Sequence, residues 1–489
     1  MEEVGQRVVT ATGTGVGFRS ERGPILASTM LATSLVAIDA TILATAIPAI
    51  VTDLGGFTQA PWLFSVYLLA QAATVPVYGK LADVLGRKPI MVAGVLLFLV
   101  GSVLCASASS MLMLILARGV QGLGAGAVQP MAQTIVADVY DLAERAKVQG
   151  YMASVWAISS VVGPTLGGVF TTYLDWRWIF WVNLPLGAFA LLLMRRFAES
   201  HERTSRRIDI VGSVLLTAGS AALILFLLEG GVSWSWGSVP SIGLAVGGLV
   251  LLAAFAVAQR YVADPVLPAW LFASRLLNTT NAVSLLVGVL LIGLTAYVPI
   301  FAQTVLGQDP LIAGFALAAL TLGWPVAASQ AGRVYLRLGF KATGLIGGSI
   351  AVVGTILLNL AGHGSSVFAL AASCFAIGLG MGLVATPTLI AAQASAPTGT
   401  RGVVTGANMF ARSLGSAFGV AVYGAIVNTA VAGSGELEDL PAWLLAPPLQ
   451  QVFAGVGLAA LALLAFVVLM PAGPRNPHLA AQRGGAEPT

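Results

Sequence analysis

The chain has 489 residues, of which 57% are hydrophobic and 9% are charged, whereas about 25% of the residues in an ordinary soluble domain are charged. This composition excludes a water-soluble globular protein and predicts a membrane protein. The formal net charge of +4 is spread over many loops, so it predicts no nucleic-acid partner.

Apolar stretches of roughly twenty residues or more follow one another along the chain, and each is long enough to cross about 30 Å of hydrocarbon as a helix. They predict an all-α polytopic membrane protein with fourteen transmembrane helices. Six are predicted near residues 25–50, 61–80, 89–108, 111–137, 149–172 and 178–196. Two more are predicted near 209–229 and 240–259. The last six are predicted near 276–302, 311–331, 341–361, 366–392, 402–429 and 449–470.

The basic residues predict the orientation of these helices, because Lys and Arg collect in short cytoplasmic loops. With both termini in the cytoplasm, 21 of the 24 basic residues fall in predicted cytoplasmic segments. Arg177 lies outside, and Arg118 and Arg412 lie within spans. We therefore expect a multi-pass protein of the cell (cytoplasmic) membrane. The first 24 residues carry several acidic side chains, so no cleavable signal peptide is predicted.

The sequence repeats itself at a spacing of about 250 residues, as in membrane proteins built from related bundles. The three matching pairs of segments begin at Gly79 and Gly332, at Gln121 and Ile377, and at Gly150 and Gly402. Two six-helix bundles with two inserted helices between them are therefore predicted. The predicted domains are a cytoplasmic N-terminal segment, the first bundle, a linker with the inserted helices, the second bundle and a cytoplasmic tail, at residues 1–24, 25–196, 197–275, 276–471 and 472–489.

The turn GKLADVLGRKP at residues 79–89 concentrates charge between the second and third spans. Its glycines allow a tight or left-handed backbone, and its basic side chains are expected to anchor the helix ends at the cytoplasmic face. Asp83 is the exception to the basic pattern, and its counterpart in the repeat is Leu336. This asymmetry indicates a role that is performed once.

Five short motifs occur in order along the predicted helices. The turn carries G-x-L-A-D-x-x-G-R-K at Gly79, Leu81, Ala82, Asp83, Gly86, Arg87 and Lys88. The fourth span carries L-x-x-x-R-x-x-Q-G at Leu114, Arg118, Gln121 and Gly122, and the fifth carries G-P-x-x-G-G at Gly163, Pro164, Gly167 and Gly168. The first span carries D-x-T-I and a later proline at Asp39, Thr41, Ile42 and Pro48, and WRWIFWVNLPLG runs from Trp176 to Gly187.

With these motifs, nearly the whole chain resembles the major facilitator superfamily, and within it the fourteen-helix drug/proton antiporters. Val84, Ser159 and Ala44 stand where that family often has a basic residue, a glycine and an asparagine. The resemblance implies alternating access, in which two bundles rock about a central cavity. The sequence has no nucleotide-binding loop and no clustered histidines. We therefore expect no enzyme activity, no cofactor and no metal.

The resemblance implies a cytoplasmic gate formed by Gly79, Asp83, Gly86, Arg87 and Lys88. Asp83 is expected to meet the start of the thirteenth span near Arg401 and Gly402, where a helix amino terminus favours a carboxylate. The antiporter motif of the fifth span is expected to form a bent, close-packed seam. That seam is either a sealing joint between the bundles or ordinary helix packing.

Asp39 lies near the middle of the first span, where an ionised side chain is expensive unless it pairs, meets water or takes a proton. Together with Arg118 it is the predicted proton-coupling site, and the alternative is a permanent ion pair between the first and fourth helices. Arg412 has no obvious acidic partner at its depth. The candidate substrate-cavity residues are Asp39, Gln121, Trp156, Asn408 and Arg412.

The sequence therefore predicts a proton-coupled exporter, or antiporter, of hydrophobic or amphipathic small molecules. Multidrug efflux and antibiotic resistance are the expected roles. The alternatives are an exporter of a lipid or endogenous metabolite, and a proton-coupled importer of the same fold. The expected partners are the lipid bilayer, protons and a hydrophobic small-molecule substrate, and we expect a monomer.

Overall fold

The computed structural model describes residues 15–56, 59–197, 199, 209–231, 233–362, 365–397, 399–431 and 442–472. All regular elements in this part of the chain are helices. The two predicted cytoplasmic ends lie mostly outside the described residues.

The first half contains helices α1 to α7, with bounds Gly23–Leu54, Trp62–Leu85, Arg87–Ala106, Met111–Val139, Leu142–Tyr173, Trp178–Trp181 and Asn183–Met194. The insertion contains α8 to α10, at Ile210–Glu229, Val239–Ala258 and Trp270–Ala273. The second half contains α11 to α16, at Arg275–Thr304, Pro310–Leu338, Phe340–Asn359, Val367–Ser395, Arg401–Val431 and Ala442–Leu469.

The sixth predicted span differs from the prediction of one helix over 178–196. Among the described residues, thirteen helices are long and apolar enough to cross a membrane. The shorter apolar segment Trp178–Met194 occupies the place of the remaining predicted span. This segment is interrupted at Val182 between α6 and α7. Pro185 has no backbone N–H and cannot donate to the Trp181 carbonyl, which accounts for the interruption.

The internal repeat is visible in the backbone of two equivalent turns. Gly86 separates α2 from α3 with φ 100° and ψ 157°, and Gly339 separates α12 from α13 with φ 86° and ψ 164°. Both angles lie in a region that side chains other than glycine rarely adopt. The repeated glycines therefore allow each half to reverse direction within a single residue.

Each half has its own apolar core. Leu35, Phe98 and Met131 belong to a core of the first half, and Leu290, Met381 and Phe453 belong to a core built from the second half. Separate cores are expected of two bundles that move as units. The fold is the one predicted, two six-helix bundles with an insertion.

The helix ends form two faces, which we name by residues of the first half. The Gly86 face carries the α2–α3 turn and the starts of α1 and α5, and the Ser107 face carries the α3–α4 turn and the end of α1. Trp176 donates from Nε1 to Asp53 on the Ser107 face at 3.1 Å.

The insertion covers the boundary between the halves. Ile224 of α8 packs in one buried cluster with Ala72 of α2 and Ala417 of α15. Asp209 accepts a 2.5 Å hydrogen bond from Gln259, so α8 and α9 are tied together at the Gly86 face. The inserted pair therefore contacts both halves through α8.

Candidate functional site

Asp39 and Arg118 form an ion pair inside the first bundle. Arg118 Nη1 lies 2.5 Å from Asp39 Oδ2, and both side chains are 1% exposed. The other carboxylate oxygen, Oδ1, accepts from Gln121 Nε2 at 2.8 Å and from Asn183 Nδ2 at 3.3 Å. The structure thus joins the two predicted proton-coupling residues and surrounds them with amide donors.

The rest of the pair's environment is also polar. Arg118 donates from Nε to the Leu63 carbonyl at 3.2 Å and from Nη1 to Gln121 Oε1 at 2.6 Å. Its guanidinium carbon lies 4.2 Å from the centre of the Tyr67 ring, a favourable cation–π arrangement. Ser102 accepts from Gln121 at 2.9 Å. Five helices, α1, α2, α3, α4 and α7, therefore meet at one charge-neutral cluster.

Three members of this cluster were not among the predicted site residues. Tyr67, Ser102 and Asn183 lie on α2, α3 and α7. Asn183 is a polar residue within an apolar span, and that signal was present in the sequence. Tyr67 and Ser102 are common residue types in such helices, so only the packing identifies them.

The candidate substrate-cavity residues fall into two groups. Asp39, Gln121 and Asn408 are buried among helices. Asn408 donates to the Thr280 carbonyl at 3.2 Å and so ties α15 to α11. Trp156 is 39% exposed, and Arg412 is half-buried.

Asp83 connects the two halves at the Gly86 face. Its carboxylate oxygens accept from the backbone N–H groups of Gly402 at 2.9 Å and of Val403 at 2.8 Å. These groups belong to the first turn of α15, where orphan N–H groups and the helix dipole favour an anion. A Cβ atom on Gly402 would lie 2.4 Å from the Gly79 carbonyl oxygen, so glycine is needed for this approach.

Ion pairs extend the contact around Asp83. Arg87 lies 3.2 Å from Asp83 and 2.9 Å from Asp138. Asp138 also lies 2.8 Å from Arg401 of the second half. Asp138, at the end of α4, was not predicted to take part, and its position at a helix end gives no sequence signal for this role.

The remaining gate residues, Gly86 and Lys88, contact the segment after α7. Glu199 accepts from the backbone N–H groups of Arg87 at 2.6 Å and Lys88 at 2.9 Å. Lys88 Nζ donates to the Phe197 carbonyl at 2.5 Å. These contacts therefore fix the start of α3 within the first half. At this face Asp83 and Asp138 contact the second half, and Arg87 links the two carboxylates.

The glycines of the α5 motif differ in what they contact. A Cβ atom on Gly163 would lie 2.0 Å from Thr41 Oγ1, and one on Gly167 would lie 2.0 Å from Thr45 Oγ1. One on Gly168 would meet nothing within 4 Å. Gly163 and Gly167 thus form a close seam with α1 of the same half. The interpretation of the motif as a seal between halves stays a prediction.

Two bundles with separate cores, a polar contact between them at one face and a buried charge pair at membrane depth define a helical membrane transporter. The sequence agrees, because residues 29–420 match the Major Facilitator Superfamily. The chain belongs to this superfamily, whose members are transporters and not enzymes.

Two bacterial proteins are similar to most of the chain. The multidrug transporter protein MdtP of Bacillus subtilis (strain 168) is 33% identical over 413 residues, which cover 84% of this chain and 76% of the relative. Multidrug resistance protein 3 of the same strain is 34% identical over 391 residues, which cover 80% of this chain and 76% of the relative.

Solved structures show the same fold. The human organic anion transporter MFSD10 (TETRAN) has a TM-score of 0.67 at 17% identity and covers 91% of this chain and 99% of its own. The proton:xylose symporter XylE has a TM-score of 0.64 at 13% identity, and the match covers 93% of this chain and 96% of the XylE chain. At these identities the likeness concerns the fold alone.

Proposed function

We propose that the protein is a proton-coupled antiporter that exports hydrophobic or amphipathic small molecules by alternating access. Its relatives in B. subtilis carry the names multidrug transporter and multidrug resistance protein, which supports multidrug efflux and a role in antibiotic resistance. The observation that carries the coupling is the buried Asp39–Arg118 pair at membrane depth.

Protonation of Asp39 provides a physical route to coupling. A proton on Oδ2 removes the negative charge and with it the attraction to Arg118. The guanidinium keeps Gln121, the Leu63 carbonyl and the Tyr67 ring as partners, so it is not left without interactions. Because Asp39 is 1% exposed, proton exchange requires α1 to shift against α4, which links the proton to a movement of helices.

The contact around Asp83 supports alternating access. It joins the halves at the Gly86 face through hydrogen bonds to backbone and through ion pairs, and these can be broken and remade. We assign the Gly86 face to the cytoplasm, with both termini on that side, because Arg and Lys are concentrated in its loops. In this conformation the cytoplasmic side is therefore closed.

The experiment uses inside-out membrane vesicles with an acidic interior and an uncharged lipophilic dye, Nile red. The unaltered protein should accumulate the dye in the vesicles, and Asp39→Asn should reduce accumulation at least about tenfold because the amide cannot carry the proton. Asp53→Asn is the matched control, since Asp53 lies on the same helix but is exposed at the Ser107 face.

Normal accumulation by Asp39→Asn would exclude Asp39 from the coupling. Dye release driven by the same gradient, with uptake in right-side-out vesicles, would indicate the importer. Accumulation of labelled lipid in place of dye would favour the lipid exporter.

A further inference from the structure

Arg412 is a cation in the interior of α15 that forms no ion pair with any side chain in the described part of the chain. It lies eleven residues after Arg401, roughly 16 Å along the helix. Its Nε is buried without a hydrogen bond. No ion pair to Arg412 occurs among the residues that the structure describes, although seven ion pairs are found there.

Arg118 provides the comparison within the same molecule. Its guanidinium, also inside a span, has a carboxylate, an amide oxygen, a carbonyl and an aromatic ring around it. A buried charge that lacks such partners is costly. Side chains of this kind in a membrane protein face the bundle interior or a water-filled cavity, where a ligand or water can complete their hydrogen bonds.

The packing of α15 shows which way Arg412 faces. The row that contacts α11 consists of Asn408, Gly415 and Gly419, and the row that contacts α2 consists of Gly402 and Gly406. Phe418 and Val422 are exposed on a third side. The backbone carbonyl of Arg412 also faces Gly288 of α11. At 3.6 residues per turn, Arg412 therefore lies at the edge of the α11 row that is nearer the α2 row, and away from the third side. Its half-buried side chain is therefore directed to the space between the halves.

No described acidic side chain in the middle of the spans is left to balance the charge of Arg412. Asp39 is neutralised by Arg118. Glu229 is 3% exposed at the end of α8 and accepts from Ser233 at 2.6 Å. Among the described residues, no further acidic side chain lies in the middle of a span. Arg412 thus adds a positive charge that no described side chain neutralises.

From this placement we propose that Arg412 binds the anionic group of an amphipathic substrate. A carboxylate, sulfonate or phosphate would be held by the guanidinium, whose planar fork matches such groups. The apolar part of the substrate would lie between the bundles. This inference rests on the proposed export function and names its substrate class, amphipathic anions.

The test compares two probes that differ only in charge: 11-(dansylamino)undecanoic acid and its uncharged primary amide. Binding to the purified full-length protein is measured by dansyl fluorescence. The unaltered protein should bind the acid about tenfold to a hundredfold more tightly than the amide, as expected for a charge-assisted hydrogen bond. Arg412→Gln should abolish this preference without weakening amide binding. Arg412→Lys should retain part of it.

Equal affinities of the unaltered protein for acid and amide would overturn the proposal, as would an unchanged preference in Arg412→Gln. Amide binding shows that each variant is folded. The pH-driven accumulation of both probes in inside-out vesicles separates this inference from the proposed function. If amide is accumulated without any preference for the acid, only the role of Arg412 fails. If neither probe is accumulated, the export function fails, while binding still decides the charge preference.

Discussion

At the scale of single residues, two buried carboxylates have different neighbours and therefore different roles. Asp39 pairs with Arg118 inside one bundle, so its ionisation affects packing within that bundle. Asp83 accepts from backbone N–H groups of the other half, so its charge holds the two halves together. The carboxylate proposed to carry the proton and the carboxylate proposed to close the gate are thus separate residues.

Asp83→Asn should weaken the closed state of the Gly86 face. The amide keeps one acceptor but loses the charge that interacts with Arg87 and the α15 amino terminus. Hydrogen bonds to charged groups contribute about 1.5–3 kcal/mol, enough to shift a two-state equilibrium by roughly tenfold or more. Spin labels at Leu85→Cys and Leu338→Cys, both exposed in the native protein, should show longer distances in the variant.

Asp175→Asn is the control for this experiment, because Asp175 is exposed and lies on the Ser107 face. It should leave the distances unchanged. If Asp83→Asn also left them unchanged, the hydrogen bonds to Gly402 and Val403 would not be what keeps the face closed.

At the scale of helices, the seam between α1 and α5 depends on which glycines face it. Thr41 Oγ1 donates to the Ser159 carbonyl at 3.0 Å, and Gly163 gives it room on α5. Ser159, where the motif often has glycine, is buried here and contributes this carbonyl. The departure from the family pattern is therefore compatible with a close seam.

Gly163→Ala should destabilise the protein, whereas Gly168→Ala should not. The added methyl of the first would overlap Thr41, and overpacking of this kind costs typically 1–3 kcal/mol. The added methyl of the second has open space. Thermal unfolding in detergent should show a transition lowered by a few degrees for Gly163→Ala only. Equal unfolding temperatures of the two variants would show that the α1–α5 seam accommodates the added methyl without loss of stability.

At the scale of the whole molecule, contacts between the halves extend from the Gly86 face to the middle of the spans. Tyr335 donates to the Leu142 carbonyl near that face. Ser160 of α5 and Thr321 of α12 lie 3.4 Å apart, oxygen to oxygen, near mid-span. Alternating access requires these contacts to separate in each cycle.

A covalent link between Ser160→Cys and Thr321→Cys should therefore stop transport. The link is made with a short bifunctional methanethiosulfonate in a variant without the two native cysteines. Dye accumulation in inside-out vesicles should be lost and should return on reduction.

The control for the link is the double variant Arg22→Cys with Glu144→Cys within the first half. In the unaltered protein Arg22 Nη2 lies 2.6 Å from Glu144 Oε1. Linking it should leave transport intact, because the bundle is expected to move as a unit. Continued transport with the Ser160–Thr321 link would contradict rocking of the two halves.

The sequence predicted much of the fold because the bilayer imposes a length and an apolar composition on every span. The repeat, the two equivalent glycine turns and the pairing of Asp39 with Arg118 could be inferred from motifs. Hydropathy does not predict the interruption at Val182, because the apolar run around Pro185 is continuous in the sequence.

The remaining features of the site depend on tertiary structure. The contacts of Asn183 and Tyr67 with the ion pair, of Asp138 with Arg401 and of Glu199 with the start of α3 are set by how each helix is rotated and at what depth it lies. In a membrane, both sides of a helix are apolar, so hydropathy says little about rotation. Sequence alone thus determined the spans, their order and the family of the chain. Only the tertiary structure decided which polar groups form contacts, because these groups are far apart in the chain and are brought together by helix packing.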